Sequence, residues 1–258
     1  MKEMNLVEPF VPCGKTFGDG SKCTKGFIIR PSGADRCECW VKYRNHLSLL
    51  AKMIDSNLIT ENSSKDEVKR LIEYSLDDYK GNDINHNIPK IRKFIRLFDE
   101  KYNSVNLFFS GENGTQKTTV AKNIVVELLR KDKTAYYTIT KDFIDLIMAS
   151  DRDEEKASLL NKILRVDLLV LEEFSTDKMA LYSSDYKQSV LTTPLKKRFE
   201  SIRKSTIIIS NSSMQELKDS RLGSTIGNLV DRETKECQFC FTDRYGDYVT
   251  VDLSSIWD

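Results

Sequence analysis

The segment Asn106-Leu-Phe-Phe-Ser-Gly-Glu-Asn-Gly-Thr-Gln-Lys-Thr-Thr119 carries the most specific chemical signal in the chain. It reads as strand, loop and helix in succession, the context in which G-x-x-x-x-G-K-[ST] cradles a phosphate chain. Across Gly111, Glu112, Asn113, Gly114, Thr115 and Gln116, successive backbone N–H groups can form a concave nest for anionic oxygens. The following helix adds its own unpaired N–H groups and partial positive charge. Lys117 is expected to reach the β- and γ-phosphates of ATP, and the Thr118 hydroxyl, followed by Thr119, to coordinate Mg²⁺. One position departs from the pattern: Gln116 stands where glycine usually precedes the lysine. If that position needs φ > 0, a non-glycine residue costs roughly 1–3 kcal/mol of local strain, which the many contacts of a triphosphate can outweigh. The plainer alternative is a turn that only joins strand to helix.

Downstream, Val166-Asp-Leu-Leu-Val-Leu-Glu-Glu-Phe174 is an apolar strand ending in two carboxylates. Beside a phosphate-binding loop, the first acid of such a pair holds Mg²⁺, often through water, and the second polarises the attacking water. Glu172 is then the metal-side acid and Glu173 the general base. Aspartate is commoner at the first position, so the extra methylene of Glu172 requires the metal shell to adjust. Thr206-Ile-Ile-Ile-Ser-Asn211 is the next strand, and the Asn211 amide at its end can orient the lytic water, although Ser-Asn also makes a good turn. Among Arg221, Arg232 and Arg244, the one chosen to reach the γ-phosphate of a neighbouring subunit is Arg232, in the helical stretch Ile226–Arg232.

Cys13, Cys23, Cys37 and Cys39 supply four thiolates, the number a tetrahedral structural zinc site needs. An iron–sulfur cluster takes the same number of thiolates, and His46 is a possible substitute for one of them. So little apolar material surrounds these cysteines that metal is expected to help fold the segment. Cys237 and Cys240 form a C-x2-C in an apparent strand, where alternation sends them to opposite faces; they read as packing residues.

The elements that must position these groups follow from periodicity. Residues 1–44 are rich in Cys, Gly and Pro, and a helical stretch follows from Trp40 to Leu50. Ser64 and Glu67 fit a capping box for a helix over Lys65–Tyr79. Gly81–Pro89 looks like a linker, so the expected organisation is an N-terminal domain over 1–80, a linker over 81–90 and a catalytic domain over 91–258. In the last, Ile91, Phe94, Ile95 and Phe98 make a helical stripe, and strands are expected at Val105–Phe109, Ala135–Ile139, Asp167–Leu171, Thr206–Ser210 and Gln238–Thr242. Helices are expected at Thr119–Lys131 and Lys141–Ala149. Short, continuously apolar strands separated by helices indicate an α/β fold whose parallel sheet is buried on both faces.

Forty basic residues against 39 acidic give a net charge of +1, which excludes a strongly basic nucleic-acid wrapper but leaves room for a local basic groove. Candidates for such a groove are Lys141, Lys156 and Lys162, or Lys196, Lys197, Arg198, Arg203 and Lys204. No segment approaches the roughly 20 apolar residues needed to cross a bilayer, and the start lacks a signal-peptide pattern. A cytoplasmic protein without a membrane partner is expected.

Taken together, the Gly111–Thr118 loop, the Asp167–Glu173 strand, Leu191–Arg198, the Thr206–Asn211 strand and the arginine-bearing close resemble the AAA+ ATPases of the DnaC/DnaI helicase-loader type, including phage relatives, and the related transposition ATPases of the IstB type. The likeness covers roughly residues 90–250. It implies a P-loop three-layer fold with a parallel sheet. Only 47 residues follow Asn211, so the lid is expected to be truncated, as in loaders of this type. Cys37-Glu-Cys39-Trp, with Lys42 and Arg44 behind it, is similar to the N-terminal zinc module of some loaders, although nine residues rather than two separate Cys13 from Cys23. The resemblance further implies ATP-controlled loading of a replicative ring helicase of the DnaB type onto single-stranded DNA, by subunits that self-associate into an oligomer. Two other functions stand beside it: a transposition-regulating ATPase that forms filaments on duplex DNA, and a non-hydrolysing adaptor with a degraded nucleotide site, which Gln116 and Glu172 would support.

Overall fold

The computed structural model describes residues 10–17, 21–30, 33–81, 83, 85–174, 185–219, 223–235 and 237–242. The chain divides into two compact units, residues 1–70 and 71–258, with the division upstream of the expected linker at 81–90.

In the first unit, β1 (Cys23–Thr24), β2 (Phe27–Arg30) and β3 (Gly33–Arg36) form an antiparallel sheet in that order. Lys25 and Gly26 make the two-residue turn between β1 and β2 with φ of 50° and 86°. Positive φ at both central residues matches the turn to the strand twist. The Gly26 carbonyl accepts a hydrogen bond from Cys37 N at 2.8 Å, which ties the hairpin to the start of α1 (Glu38–Asp55). Helix α1 is longer at both ends than the periodicity from Trp40 to Leu50 indicates.

Helix α2 (Lys65–Glu73) begins where expected, and its Glu67 N–H donates to Ser64 Oγ at 3.1 Å. It ends short of Tyr79, because Ser75 and Asp78 form a second, reciprocal capping box that starts a 3₁₀ turn at Leu76–Asp78. A serine able to cap outcompetes continuation of the helix.

The second unit is built on a five-stranded, wholly parallel sheet of β4 (Leu107–Ser110), β5 (Ala135–Ile139), β6 (Leu168–Glu172), β7 (Ser205–Ser210) and β8 (Gln238–Cys240). The spatial order is β5-β6-β7-β4-β8. The helices between are α3 (Asn87–Arg96), α4 (Lys117–Arg130), α5 (Thr140–Ser150), α6 (Glu154–Arg165), α7 (Asp185–Lys196), α8 (Met214–Asp219) and α9 (Asn228–Thr234). Every residue of β7 is buried, as are Leu107–Phe109 of β4 and Leu168–Leu171 of β6. Consecutive burial means both sheet faces are covered, which gives the three-layer α/β fold expected. One core gathers Phe108, Leu169, Leu171 and Ile208 from alternate strand positions with Phe143, Ile147, Ile163 and Leu195 from the helices. The stripe Ile91, Phe94, Ile95 and Phe98 is wholly buried.

Arg198, a candidate for DNA contact, is fully buried instead. Its guanidinium donates to Thr206 Oγ1 at 2.9 Å and to the carbonyls of Leu164 (2.8 Å), Val166 (3.1 Å) and Ser205. Burial lowers its pKa to about 9. The residue spends its donors on orphaned carbonyls near the N-terminal ends of β6 and β7, so it cannot line a groove. Lys204 pairs with Asp167 and Lys141 with Asp145, both at 2.7 Å. Among the described residues, no helix is long and apolar enough to cross a membrane.

Candidate nucleotide site and cysteine centre

In a parallel sheet all C-terminal strand ends open on one edge, where α/β folds bind ligands. Here β4, β6 and β7 bring the expected residues to that edge. The register pairs Ser110 with Ser210 and Leu171 with Ile208, so the Gly111–Thr118 loop leaves the sheet beside the end of β7, with the two glutamates on the other side of that strand.

The loop takes the shape its glycines permit. Gly111 has φ 141° and Gly114 has φ 83°. A Cβ on Gly111 would lie 2.0 Å from the Phe241 carbonyl oxygen, so the chain leaving β8 packs where only hydrogen fits. Gln116 is left-handed at φ 65°, and its buried Nε2 has no hydrogen-bond partner. The strain anticipated for a non-glycine residue before the lysine is therefore present.

Lys117, the first residue of α4, is buried. Its ammonium donates to the carbonyls of Gly111 and Glu112, both at 2.7 Å, and to Thr115 Oγ1 at 3.2 Å. Burial brings its pKa down to about 8, against the opposing pull of the Glu172 and Cys240 charges. The positive charge thus sits inside the loop's curve, where phosphate oxygens would approach.

Thr118 and Glu172, the two expected metal-side residues, are in direct contact: the Thr118 hydroxyl donates to Glu172 Oε1. Thr140 Oγ1 donates to the Glu172 carbonyl at 2.8 Å and fixes the strand end. The backbone then turns sharply. Glu173 is left-handed at φ 58°, and Phe174 N donates to Ile209 O at 2.9 Å while its ring is buried. Glu173 is exposed and Glu172 half-buried, so the two acids have different surroundings. Asn211 is exposed just past β7, and the following Ser212 N–H is held by Ser210 Oγ at 3.0 Å.

Arg232 lies on α9 and pairs with Glu200 at 2.6 Å and Glu233 at 2.9 Å in its own chain. Arg221 and Arg244 lie outside the described residues. Cys240 is exposed on an edge strand and Cys237 precedes it, half-buried; the packing residue there is Phe239, not either cysteine.

Tyr137 escaped the sequence reading. It is buried on β5, and its hydroxyl donates to Glu172 Oε2. Burial, and then the Glu172 charge and hydrogen bond, raise its pKa well above the ordinary tyrosine value. Only the β5–β6 register brings it to the site, and that register has no local signature.

The sulfur atoms of Cys13, Cys23, Cys37 and Cys39 all lie within 4.8 Å of one another. Cys13 and Cys37 approach to 3.6 Å, and Cys23 and Cys39 to 3.4 Å. Metal–sulfur bonds of about 2.3 Å in a tetrahedron separate ligand sulfurs by about 3.8 Å. Four thiols at this spacing, two of them buried, fit a tetrahedral metal ion. Cys37 also forms the N-cap of α1. His46 is exposed on α1 and is not part of the group, so it replaces none of the four.

Comparison with known proteins agrees with this geometry. The Escherichia coli K12 replicative helicase loader DnaC is 28% identical over 132 residues, which are 50% of this chain and 51% of the relative. The chain thus spans about half the length of the curated relatives it matches. The crystal structure of the DnaC helicase loader superposes with a TM-score of 0.54 at 23% identity, covering 67% of this chain and 98% of that one. That of DnaI gives 0.52 at 17%, covering 69% and 92%. At these identities the structures show a shared fold, the AAA+ P-loop fold anticipated from the motifs. The family model described as IstB-like ATP binding protein matches residues 69–243, and the chain belongs to that family.

Proposed function

We propose that the second unit binds ATP with Mg²⁺ and hydrolyses it, and that the protein uses this cycle to load a replicative ring helicase onto single-stranded DNA. The observation that carries the reading is the contact between Thr118 and Glu172, with Lys117 held in the adjoining loop. The DnaC likeness supports the helicase as partner. Thr118 and Glu172 would hold the magnesium ion, which supplies charge neutralisation for the transferred phosphoryl group. The backbone N–H groups from Gly111 to Thr119 would bind phosphate oxygens. Glu173 would orient and deprotonate the attacking water, with Asn211 fixing that water's position. Arg232 would exchange its intrachain partners for a neighbouring subunit's γ-phosphate when subunits self-associate. The four N-terminal cysteines would hold Zn²⁺ in the module that grips the helicase.

Two measurements test this. Co-elution with the cognate ring helicase is expected and should depend on ATP; no association with or without nucleotide removes the loader reading. Phosphate release stimulated by single-stranded DNA is expected to fall about 100-fold or more in Glu173→Gln, with ATP binding retained.

A second reading, a nucleotide-binding adaptor without turnover, is favoured by the left-handed Gln116. It wins if the wild type and Glu173→Gln release phosphate at the same background rate. The family match also supports a transposition-regulating ATPase, which filament formation on duplex DNA in ATP would distinguish from a loader.

A further inference from the structure

Glu172 is held from two sides. Its Oε1 accepts from Thr118 on α4 and its Oε2 accepts from Tyr137 on β5. Pairing Ile139 with Glu172 and Tyr137 with Val170 puts Tyr137 and Glu172 on the same sheet face, since residues two apart along a strand share a face. Tyr137 starts one pleat nearer the N-terminal end, and its long ring spans that offset. Lys122 lies one helical turn beyond Thr118, and residues four apart share a helix face. The Lys122 ammonium sits 5.2 Å from the centroid of the Tyr137 ring. One face of α4 therefore grips both members of the pair, the carboxylate through Thr118 and the phenol through Lys122.

We infer that Tyr137, backed by Lys122, is the positioning residue that fits a glutamate to the metal side of this nucleotide site. The inference rests on the ATP–Mg²⁺ reading above and deepens it. A glutamate at this strand end has one more rotatable bond than an aspartate, so a single hydrogen bond from Thr118 leaves its carboxylate free to swivel. The phenol removes that freedom by occupying Oε2, and Oε1 stays directed at Thr118 and the place where magnesium is expected. The ammonium over the ring polarises the phenol as a donor. Groups that orient a metal ligand in this way typically account for 10–100-fold in metal affinity. An aspartate would not reach the phenol, so the tyrosine and the longer acid belong together.

The test is titration calorimetry of the full chain with ATP, with Mg²⁺ and with EDTA, for the wild type, Tyr137→Phe, Lys122→Met, Glu172→Asp and the Tyr137→Phe/Glu172→Asp double variant. Tyr137→Phe is expected to bind metal-free ATP as the wild type does and to lose about 10-fold or more of the enhancement that Mg²⁺ confers. Lys122→Met, half-exposed and safe for folding, should lose about two- to fivefold of the same enhancement. The double variant should be no worse than Glu172→Asp alone, because both changes break one contact. An unchanged Mg²⁺ enhancement in Tyr137→Phe overturns the inference while leaving the nucleotide reading intact, and so does an equal loss with and without metal. A wild type that takes up no ATP under either condition sinks the nucleotide reading and the inference with it.

Discussion

Replacing Gln116 by glycine should make the protein more stable, against the usual direction for a change in a binding loop. Two costs in the native state would disappear. The first is the left-handed backbone at φ 65°, which costs an L-residue about 1–2 kcal/mol. The second is the buried Nε2 without a partner, a desolvation cost of about 1–3 kcal/mol. Against these stand the greater freedom of glycine in the unfolded chain, about 0.4–1 kcal/mol, and the lost burial of the methylene stem, about 0.8 kcal/mol per CH₂. The balance favours glycine by about 1 kcal/mol. Urea unfolding followed by far-UV circular dichroism should therefore show a higher midpoint with an unchanged slope. Gln116→Ala separates the two causes, because alanine removes the amide but keeps the backbone strain. It should gain less than glycine does. A glycine variant that unfolds at the same or a lower urea concentration would refute the reasoning, because neither the strain nor the orphaned amide could then be costing what the geometry implies.

Other expectations follow from the same structure. The Lys117 ammonium gives up its proton near pH 8 in the folded chain and near 10.5 when unfolded. Between those values the unfolded state holds more protons, so stability should climb with pH across that window. Subtracting the profile of Lys117→Met from that of the wild type should isolate the climb, and a flat difference would contradict it. Metal analysis should find one zinc per chain, lost in Cys23→Ser and in Cys37→Ser, with the loss of structure confined to residues 1–70 as read by proteolysis; a metal-free wild type with a protease-resistant N-terminal unit would overturn the assignment. Arg198→Lys keeps the charge but cannot serve four acceptors, and it should destabilise by about 3–5 kcal/mol in the same urea assay; a cost under about 1 kcal/mol would show those carbonyls to be satisfied otherwise.

How much of this was legible in the sequence depends on the range of the interaction involved. The loop from Gly111 to Thr118 and the acids at the end of β6 were placed at one edge of the sheet because each follows directly on a short apolar run, a local pattern. The apolar runs gave the strands within a residue or two for the same reason: burial on both faces dictates composition along a continuous stretch. The early end of α2 depended on Ser75 acting as a cap, a contest between neighbouring hydrogen bonds that periodicity alone does not reveal. Arg198 looked like part of a basic patch because two of its four acceptors, Leu164 and Val166, lie more than thirty residues away in sequence. Tyr137 was invisible for the same reason. Glu172 lies 35 residues further along the chain, and only sheet register joins them.

The strained positions of this site bear on its chemistry as well. Gln116 and Glu173 are both left-handed, and one lies directly before Lys117 while the other lies directly after Glu172. Non-glycine residues hold such conformations only where their surroundings over-determine them. Around Glu173 the surroundings are visible: Thr140 fixes the carbonyl before it, and Phe174 behind it is both buried and hydrogen-bonded to Ile209. Straightening that turn would pull Phe174 out of the core, at about the free energy of exposing one large aromatic side chain, 1.5–3 kcal/mol. The turn is therefore stiff, and stiffness would serve the general-base role proposed for Glu173, since a base acts only when held within hydrogen-bond reach of the proton it takes. Gln116 differs, because its amide nitrogen finds no partner, while its backbone carbonyl accepts the first helical hydrogen bond of α4 from Val120 N at 2.9 Å. The two outliers thus make separate claims: the acid's turn is braced by the fold, while the loop's glutamine is tolerated by it. Glycine should be welcome at position 116, whereas at 173 it would free the backbone and also remove the carboxylate that the braced turn presents.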